Sequence, residues 1–230
     1  MKIGIVLLCR YNSNRLPGKI LKEINGQPVL EIILNRLKAS TKADQIIVCT
    51  SDQSSDDPIV EYCKNEEVNY FRGSLNNVSE RFLACANAYK LDWAVRVNGD
   101  NIFTDYRLID QGIELISKGN YDFISNVEGR TYPTGMSVEL VKTSTYKHYF
   151  NKISERADWQ EHVTLFFYEN IDLVKKRFFY NHSLETAKGT KLALDTEEDF
   201  KKAKWIIDEI KGLKLQTTWQ EISNVANRYA

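Results

Sequence analysis

The sequence predicts an α/β fold, a mostly parallel sheet with helices on both faces, and three observations carry that prediction. Short β-rich runs alternate with amphipathic helical stretches through the first half of the chain. The first run, residues 3–9, is apolar apart from Gly4, the pattern of a strand buried on both faces. It opens into a loop with three fixed cations, Arg10, Arg15 and Lys19, and a Pro17-Gly18 break. Open α/β sheets hold their ligands at such strand ends.

The elements follow in order. Residues 2–9, 45–51, 68–72 and 93–98 read as strands, and 29–39, 58–65 and 78–89 as the helices between them. Leu30, Ile33, Leu34 and Leu37 recur at helical spacing and are expected to pack on the sheet. A helix over 108–117 and a strand over 122–126 continue the pattern. The chain then loosens into a segment rich in Tyr, Phe and Thr, with added strands expected at 136–141 and 172–180 as a lid or dimer arm. Interface and core strands explain the aromatic runs at 166–168 and 178–180 equally well. Helices over 197–210 and 218–228 close the chain. No internal repeat or low-complexity tract interrupts it, so residues 1–230 are expected to form one domain, with about 130–185 as an extension within it.

Composition excludes several function classes. Thirty-one basic and 31 acidic residues cancel over 230 positions, so no global field favours nucleic acid or an anionic membrane. An anionic ligand must therefore be held by local clusters. Cys9, Cys49, Cys63 and Cys85 are dispersed without CxxC or zinc spacing, which reads as buried free thiols. The N-terminal apolar run is too short for a signal core, and nothing approaches the ~20 apolar residues of a membrane span. A cytoplasmic location is the expectation.

Four stretches carry chemistry. In the first loop, Arg offers a planar fork of donors to phosphate oxygens and Lys a compact mobile charge. Gly18 permits close backbone approach and Pro17 stiffens it. The second stretch is Arg96-Val97-Asn98-Gly99-Asp100-Asn101, ending the strand 93–98. Asp100 is placed to hold a divalent cation against a phosphate, although Asn-Gly-Asp-Asn is also ordinary turn chemistry. In the third, residues 191–200, Asp195 follows a short apolar stretch read as a strand and precedes a Glu-rich helix start, where it serves equally well as a cap. Asp199 reads as surface or capping charge. In the fourth, Arg72 ends a strand and Arg81 sits on the next helix, both able to reach a sheet-edge crevice; Asn76 reads as a helix cap.

These residues resemble the cytidylyltransferase superfamily of acidic sugars, the CMP-Kdo and acylneuraminate synthetases. The chain looks most like the SpsF-type branch of spore-coat polysaccharide biosynthesis. Arg10, Ser13, Arg15, Leu16, Pro17, Gly18 and Lys19 reproduce the Arg-x-x-Ser-x-Arg-Leu-Pro-Gly-Lys pattern. Phe71-Arg72-Gly73-Ser74 with Val78, Arg81 and Phe82, then Glu161-His162-Val163-Thr164, then Leu194–Asp199, look like further signatures in the same order. The resemblance implies a Rossmann-like nucleotidyltransferase fold, a GT-A-like three-layer sandwich with a small β-rich extension, that takes CTP and releases pyrophosphate.

On that resemblance Arg10 and Lys19 would act on the phosphates, and Ser13, Arg15, Arg72, Arg81 and Asn98 would bind the nucleotide. Asp100 matches the Asp of the family's Gln-Gly-Asp-Glu-Pro stretch and Asp195 its second metal-binding Asp, which implies Mg²⁺. Here Asn98, Asn101 and Ile102 replace the Gln, Glu and Pro. The acceptor is expected to be an anionic sugar-type molecule, met by Arg130, Arg156 or His162. The stretch 132–136 reads as a substrate loop or a structural turn. A homodimer is the family expectation. Two other readings are a nucleotide-sugar-dependent glycosyltransferase of similar fold and a non-catalytic nucleotide-binding protein. The lone Asp100 fits a DxD metal site less well, and the intact cation and carboxylate set argues against a binding module.

Overall fold

In the computed structural model, which describes residues 1–13 and 15–229, the apolar first run becomes β1 (Ile3–Leu8), buried along its whole length. Its side chains alternate between two cores: Ile3, Ile5 and Leu7 face one, Val6 and Leu8 the other. This strand is therefore the middle of the molecule. A two-stranded ribbon, β2 (Glu23–Ile24) and β3 (Gln27–Pro28), leads into helix α1 (Val29–Leu37). Then come β4 (Gln45–Ser51), α2 (Asp57–Asn65), β5 (Tyr70–Gly73), α3 (Val78–Ala88), β6 (Trp93–Asn98), α4 (Tyr106–Ile116) and β7 (Phe123–Ser125). The chain continues with β8 (Glu139–Lys142), α5 (Thr143–Ile153), α6 (Ala157–Glu161), α7 (Leu165–Glu169) and β9 (Lys176–Phe178). It closes with α8 (Glu197–Glu209) and α9 (Trp219–Ala226).

Seven strands form one sheet in the order β5-β4-β1-β6-β8-β7-β9, with β8 alone running antiparallel to its neighbours. Residues of α1, α2, α4, α8 and α9 pack in one core, and those of α3, α5, α6 and α7 in the other. This is the three-layer sandwich expected. From β1 the chain moves outward through β4 and β5, then returns to β6 on β1's other side. The carboxyl ends of β1 and β6 therefore flank the point where strand order reverses, where such sheets open a crevice.

Local chemistry fixes several joints. Asp105 caps α4 by accepting from Arg107 N at 2.9 Å, and its second oxygen accepts from Trp219 N at 2.9 Å, tying α9 to α4. Arg36 is buried beneath them and donates to the Thr104 carbonyl at 2.8 Å. Cys9, Cys49, Cys63 and Cys85 are buried free thiols, as expected.

The segment 130–185 differs most from expectation. It supplies β8 and β9 to the main sheet, each shorter than the predicted strands, with α5, α6 and α7 between them. The run 166–168 is helical in α7, with Phe166 and Phe167 fully buried among Tyr146, Trp159 and Phe123. Aromatic and β-branched residues read as strand by propensity, but the cover they give the second core takes helical form. The apolar run 192–194 is likewise no strand; only Lys191 makes an isolated bridge, to Thr134. Among the described residues no helix is long and apolar enough to cross a membrane.

Candidate active site

A cleft of about 360 Å³ opens at the carboxyl ends of β1 and β6. The loop after β1 contributes Arg10, Ser13, Arg15 and Lys19 to its lining; Val78 and Arg81 of α3, Arg96 and Asn98 of β6, Glu161 and His162 line it too, and Arg10 lies 3.9 Å from Glu161. Asp100 and Asp195 also line it, with Leu8, Cys9, Ile20 and Gly99. Among the described residues, five cations face three carboxylates here, so a locally positive site sits on a chain of zero net charge.

The first loop is held by backbone and by one buried carboxylate. Gly18 N donates to the Tyr11 carbonyl at 2.9 Å, closing the turn. Tyr11 N donates to Asp56 Oδ1 at 2.8 Å, while Thr50 Oγ1 and Ser51 N donate to Asp56 Oδ2 at 2.8 and 2.9 Å. Asp56 is fully buried; burial raises its proton affinity, but the donors from Ser51, Tyr11 and Thr50 outweigh it and hold the carboxyl below its ordinary range.

The two strand-end loops touch through Gly99. A Cβ at that position would sit 2.6 Å from Cys9 Cβ, and Gly99 N donates to the Leu8 carbonyl at 2.8 Å. A side chain there would push the loops apart. Burial pushes the Cys9 thiol well up, leaving it protonated and a poor nucleophile.

Asp195 reaches the cleft because neighbours take over the capping of α8. Thr196 is the N-cap, its hydroxyl accepting from Asp199 N, while Asp199 accepts from Thr196 N. Asp199 is thus the capping charge expected, and the Asp195 carboxylate is left for the site. Two further contacts seat it: Leu194 N donates to the Asp100 carbonyl at 2.9 Å, and Gly135 packs so closely on the Leu192–Ala193 backbone that a Cβ would approach Ala193 N to 2.6 Å. The stretch 132–136 acts here as a structural turn. Similarly, Asn77 caps α3, accepting from Glu80 N at 2.9 Å, one residue beyond the expected Asn76.

Cations crowd Asp195. Lys19 Nζ donates to the Leu194 carbonyl at 2.7 Å and lies 3.7 Å from Asp195 Oδ1; Arg15 approaches the same oxygen at 2.9 Å. Asp100 differs. Its Oδ1 is buried with no hydrogen-bond partner among the described residues. Burial, against the pull of Lys19 and with the added charge of Asp195, pushes its carboxyl above the usual range. Arg81 Nε and Arg96 Nε, on the same cleft, are also buried without partners. Buried polar groups are normally satisfied, so this concentration of orphans marks a place prepared for a ligand.

The sequence-derived residues divide plainly. Arg10, Ser13, Arg15, Lys19, Arg81, Asn98, Asp100, His162 and Asp195 all line the cleft. Arg72 lies off it, donating to the Ser51 and Gln53 carbonyls and pairing with Asp57 at 2.7 Å. Arg130 lines a separate small hollow with Val127 and Pro133. Arg156 is exposed and engaged by Asp158 and Glu169. Arg96 and Glu161 line the cleft although the sequence reading gave neither a role; the period of two from Arg96 to Asn98 on one strand was the available signal.

Two carboxylates, one with an orphaned oxygen, beside a positive loop suit a hard divalent cation that draws its other ligands from phosphates and water. Among the described residues no cluster of three or more His, Cys, Asp or Glu side chains could hold a metal alone.

Comparison with known proteins agrees with this fold. The family model described as cytidylyltransferase matches residues 3–223. The spore coat polysaccharide biosynthesis protein SpsF of Bacillus subtilis is 28% identical over 98% of this chain and 94% of its own. A cytidylyltransferase structure from Leptospira borgpetersenii superposes with a TM-score of 0.88 at 28% identity, over 99% of this chain and 94% of that one. A CMP:2-keto-3-deoxy-manno-octonic acid synthetase solved with CTP shares the fold alone, with a TM-score of 0.69 at 13% identity over 91% of this chain and 100% of that one.

Proposed function

This chain belongs to the cytidylyltransferase family, and from that premise we propose that it transfers the cytidylyl group of CTP to an anionic sugar-type acceptor. The acceptor class is an ulosonic or nonulosonic acid or a sugar or polyol phosphate, and the product serves surface polysaccharide or glycan biosynthesis. The observation that carries this reading is the convergence of Arg10, Ser13, Arg15 and Lys19 with Asp100 and Asp195 in one cleft at the reversal of strand order. This reading takes residues 1–230 as a single nucleotidyltransferase domain, with 130–185 providing acceptor and dimer contacts. It also takes the protein as a cytoplasmic homodimer.

In the proposed reaction an acceptor oxygen attacks the α-phosphorus in line. The new oxygen–phosphorus bond forms as the bond to the bridging oxygen breaks; pyrophosphate leaves with the electron pair and the acceptor proton passes to solvent. Such chemistry needs positioning and charge stabilisation without a protein nucleophile, in keeping with the protonated Cys9. Lys19, fixed by the Leu194 carbonyl, and Arg10 on the same loop would offset charge on the α-phosphate and departing pyrophosphate. Ser13, Arg15, Arg81 and Asn98 would bind the nucleotide, and His162 the acceptor. Asp100 and Asp195 would hold Mg²⁺, whose charge neutralises the phosphates when bound. Arg15 and Lys19 would then turn from Asp195 to the phosphates.

The test is pyrophosphate release with each of the four NTPs across a panel of ulosonic acids and sugar phosphates. Release with CTP and an anionic acceptor is expected. Release with no acceptor in the panel would overturn the reading.

A further inference from the structure

We propose that Arg96 is the seat for the acceptor's anionic group, a carboxylate or phosphate oxygen, and so a specificity-determining residue of this site. The inference rests on the reading of the acceptor as an anion, and it deepens that reading by naming the residue that meets it.

Arg96 stands on β6 four residues before Asp100, and both line the cleft. Its guanidinium pairs with Glu139 of the antiparallel neighbour β8, directly opposite in register. Glu139 is itself buried and locked: its Oε1 accepts from Thr164 Oγ1 at 2.7 Å and from Tyr168 OH at 2.8 Å, and Tyr168 OH lies 2.6 Å from Ser125 Oγ. One face of the guanidinium is thus fixed by a four-residue network. Arg96 Nε nonetheless has no partner among the described residues although it is buried. A structural arginine in such a network would be expected to use its donors internally. Here one is left over, on a residue that lines the cleft.

Placement relative to the reaction centre gives the reason. Arg96 lies on β6, the strand that leads directly into Asp100, and both line the cleft. In an ulosonic acid the attacking anomeric hydroxyl and the carboxylate sit on adjacent carbons. A carboxylate seat must therefore lie beside the centre where the new bond forms. Arg130 in its separate hollow and Arg156 bound to Asp158 and Glu169 do not meet that condition. Arg10, Arg15 and Lys19, on the loop after β1, are taken up by the triphosphate in the proposed reaction. Arg96 meets it, since it lines the cleft on the strand that leads into Asp100. A rigid, pre-oriented fork also binds an oxyanion with less loss of freedom than a lysine.

The test uses the full chain with Arg96→Lys, which keeps the charge and the Glu139 pair but removes the fork. Pyrophosphate release is followed against CTP and against two sets of acceptors: 3-deoxy-manno-octulosonate and N-acetylneuraminate as carboxylates, mannose 1-phosphate and ribitol 5-phosphate as phosphates. The expected result is a rise in acceptor KM of about tenfold or more, with KM for CTP within twofold of wild type. The set that shows the rise identifies the anionic group. An acceptor KM within twofold of wild type overturns the inference, as does a parallel rise for CTP, which would assign Arg96 to the nucleotide. If wild type binds CTP but turns over no anionic acceptor, the anionic-acceptor reading itself falls, and this inference with it. A melting curve and CTP titration verify the fold. Should Arg96→Lys not fold, Arg96→Gln combined with Glu139→Gln removes both charges and is read the same way.

Discussion

Asp56, a buried aspartate, and Asp100, partly buried with one sealed carboxylate oxygen, lie in two loops at the same sheet edge, and they are treated in opposite ways. Asp56 receives Tyr11 N, Thr50 Oγ1, Ser51 N and Ser51 Oγ, and its carboxyl is held below the ordinary range. Asp100 has one oxygen with no partner among the described residues, and its carboxyl is pushed above that range. The first is a bracket that holds the cation loop to β4. The second is a charge kept ready for a ligand that completes its surroundings. Stability is placed at the edge of the site and strain at its centre, the division expected where a binding site works against the fold that carries it.

The largest effect that can break this comparison is at the cation facing Asp100. Lys19→Ala is expected to lower kcat/KM by about 10²–10³, the scale for losing one preorganised donor to developing charge. Its melting temperature should stay near wild type, and unchanged turnover would remove the first loop from the chemistry. Asp100→Asn is expected to lower turnover by at least about 10², while making the ligand-free protein more stable, because a costly buried charge is gone. Steady-state rates and thermal melting of one protein sample check both halves.

Asp56→Asn should do the reverse. Losing charge-assisted bonds from three residues is expected to cost about 3 kcal/mol, or about 6–12 °C in a domain of this size, with kcat reduced only modestly. The pH dependence follows from the directions. Asp56, depressed on folding, stabilises above the ordinary carboxylate range, and that contribution is lost as pH falls through its folded value. Asp100, raised on folding, favours the fold most at low pH and loses that contribution as pH rises through its folded value. Melting between pH 3 and 7 should therefore show Asp56→Asn with a flatter acid loss than wild type. The smallest effect is at Arg72, which is bound to β4 and α2 away from the cleft: Arg72→Ala should change kcat/KM by less than about threefold.

Much of this was legible in the sequence, for identifiable reasons. The βα rhythm and the buried first strand set the sheet, and the cations after β1 lie where strand order reverses. Asp100 and Asp195 follow the same logic of strand and helix ends. What was not legible depends on partners distant in sequence. Arg96 gains its meaning only when β8 brings Glu139 opposite it, and Glu139 only when α7 brings Tyr168. Arg72 and Arg130 have the right charge, but backbone carbonyls and a separate hollow place them elsewhere. The helices α5 and α7 were hidden because their aromatic and, in α5, β-branched residues favour strands locally, and tertiary packing overrides that preference.

The most direct measurement is the melting temperature of ligand-free Asp100→Asn beside Asp56→Asn at neutral pH. Opposite signs are predicted, a rise of about 1–3 °C for Asp100→Asn and the larger fall for Asp56→Asn. A fall in both would contradict the account, since Asp100 would then be a structural carboxylate like its neighbour.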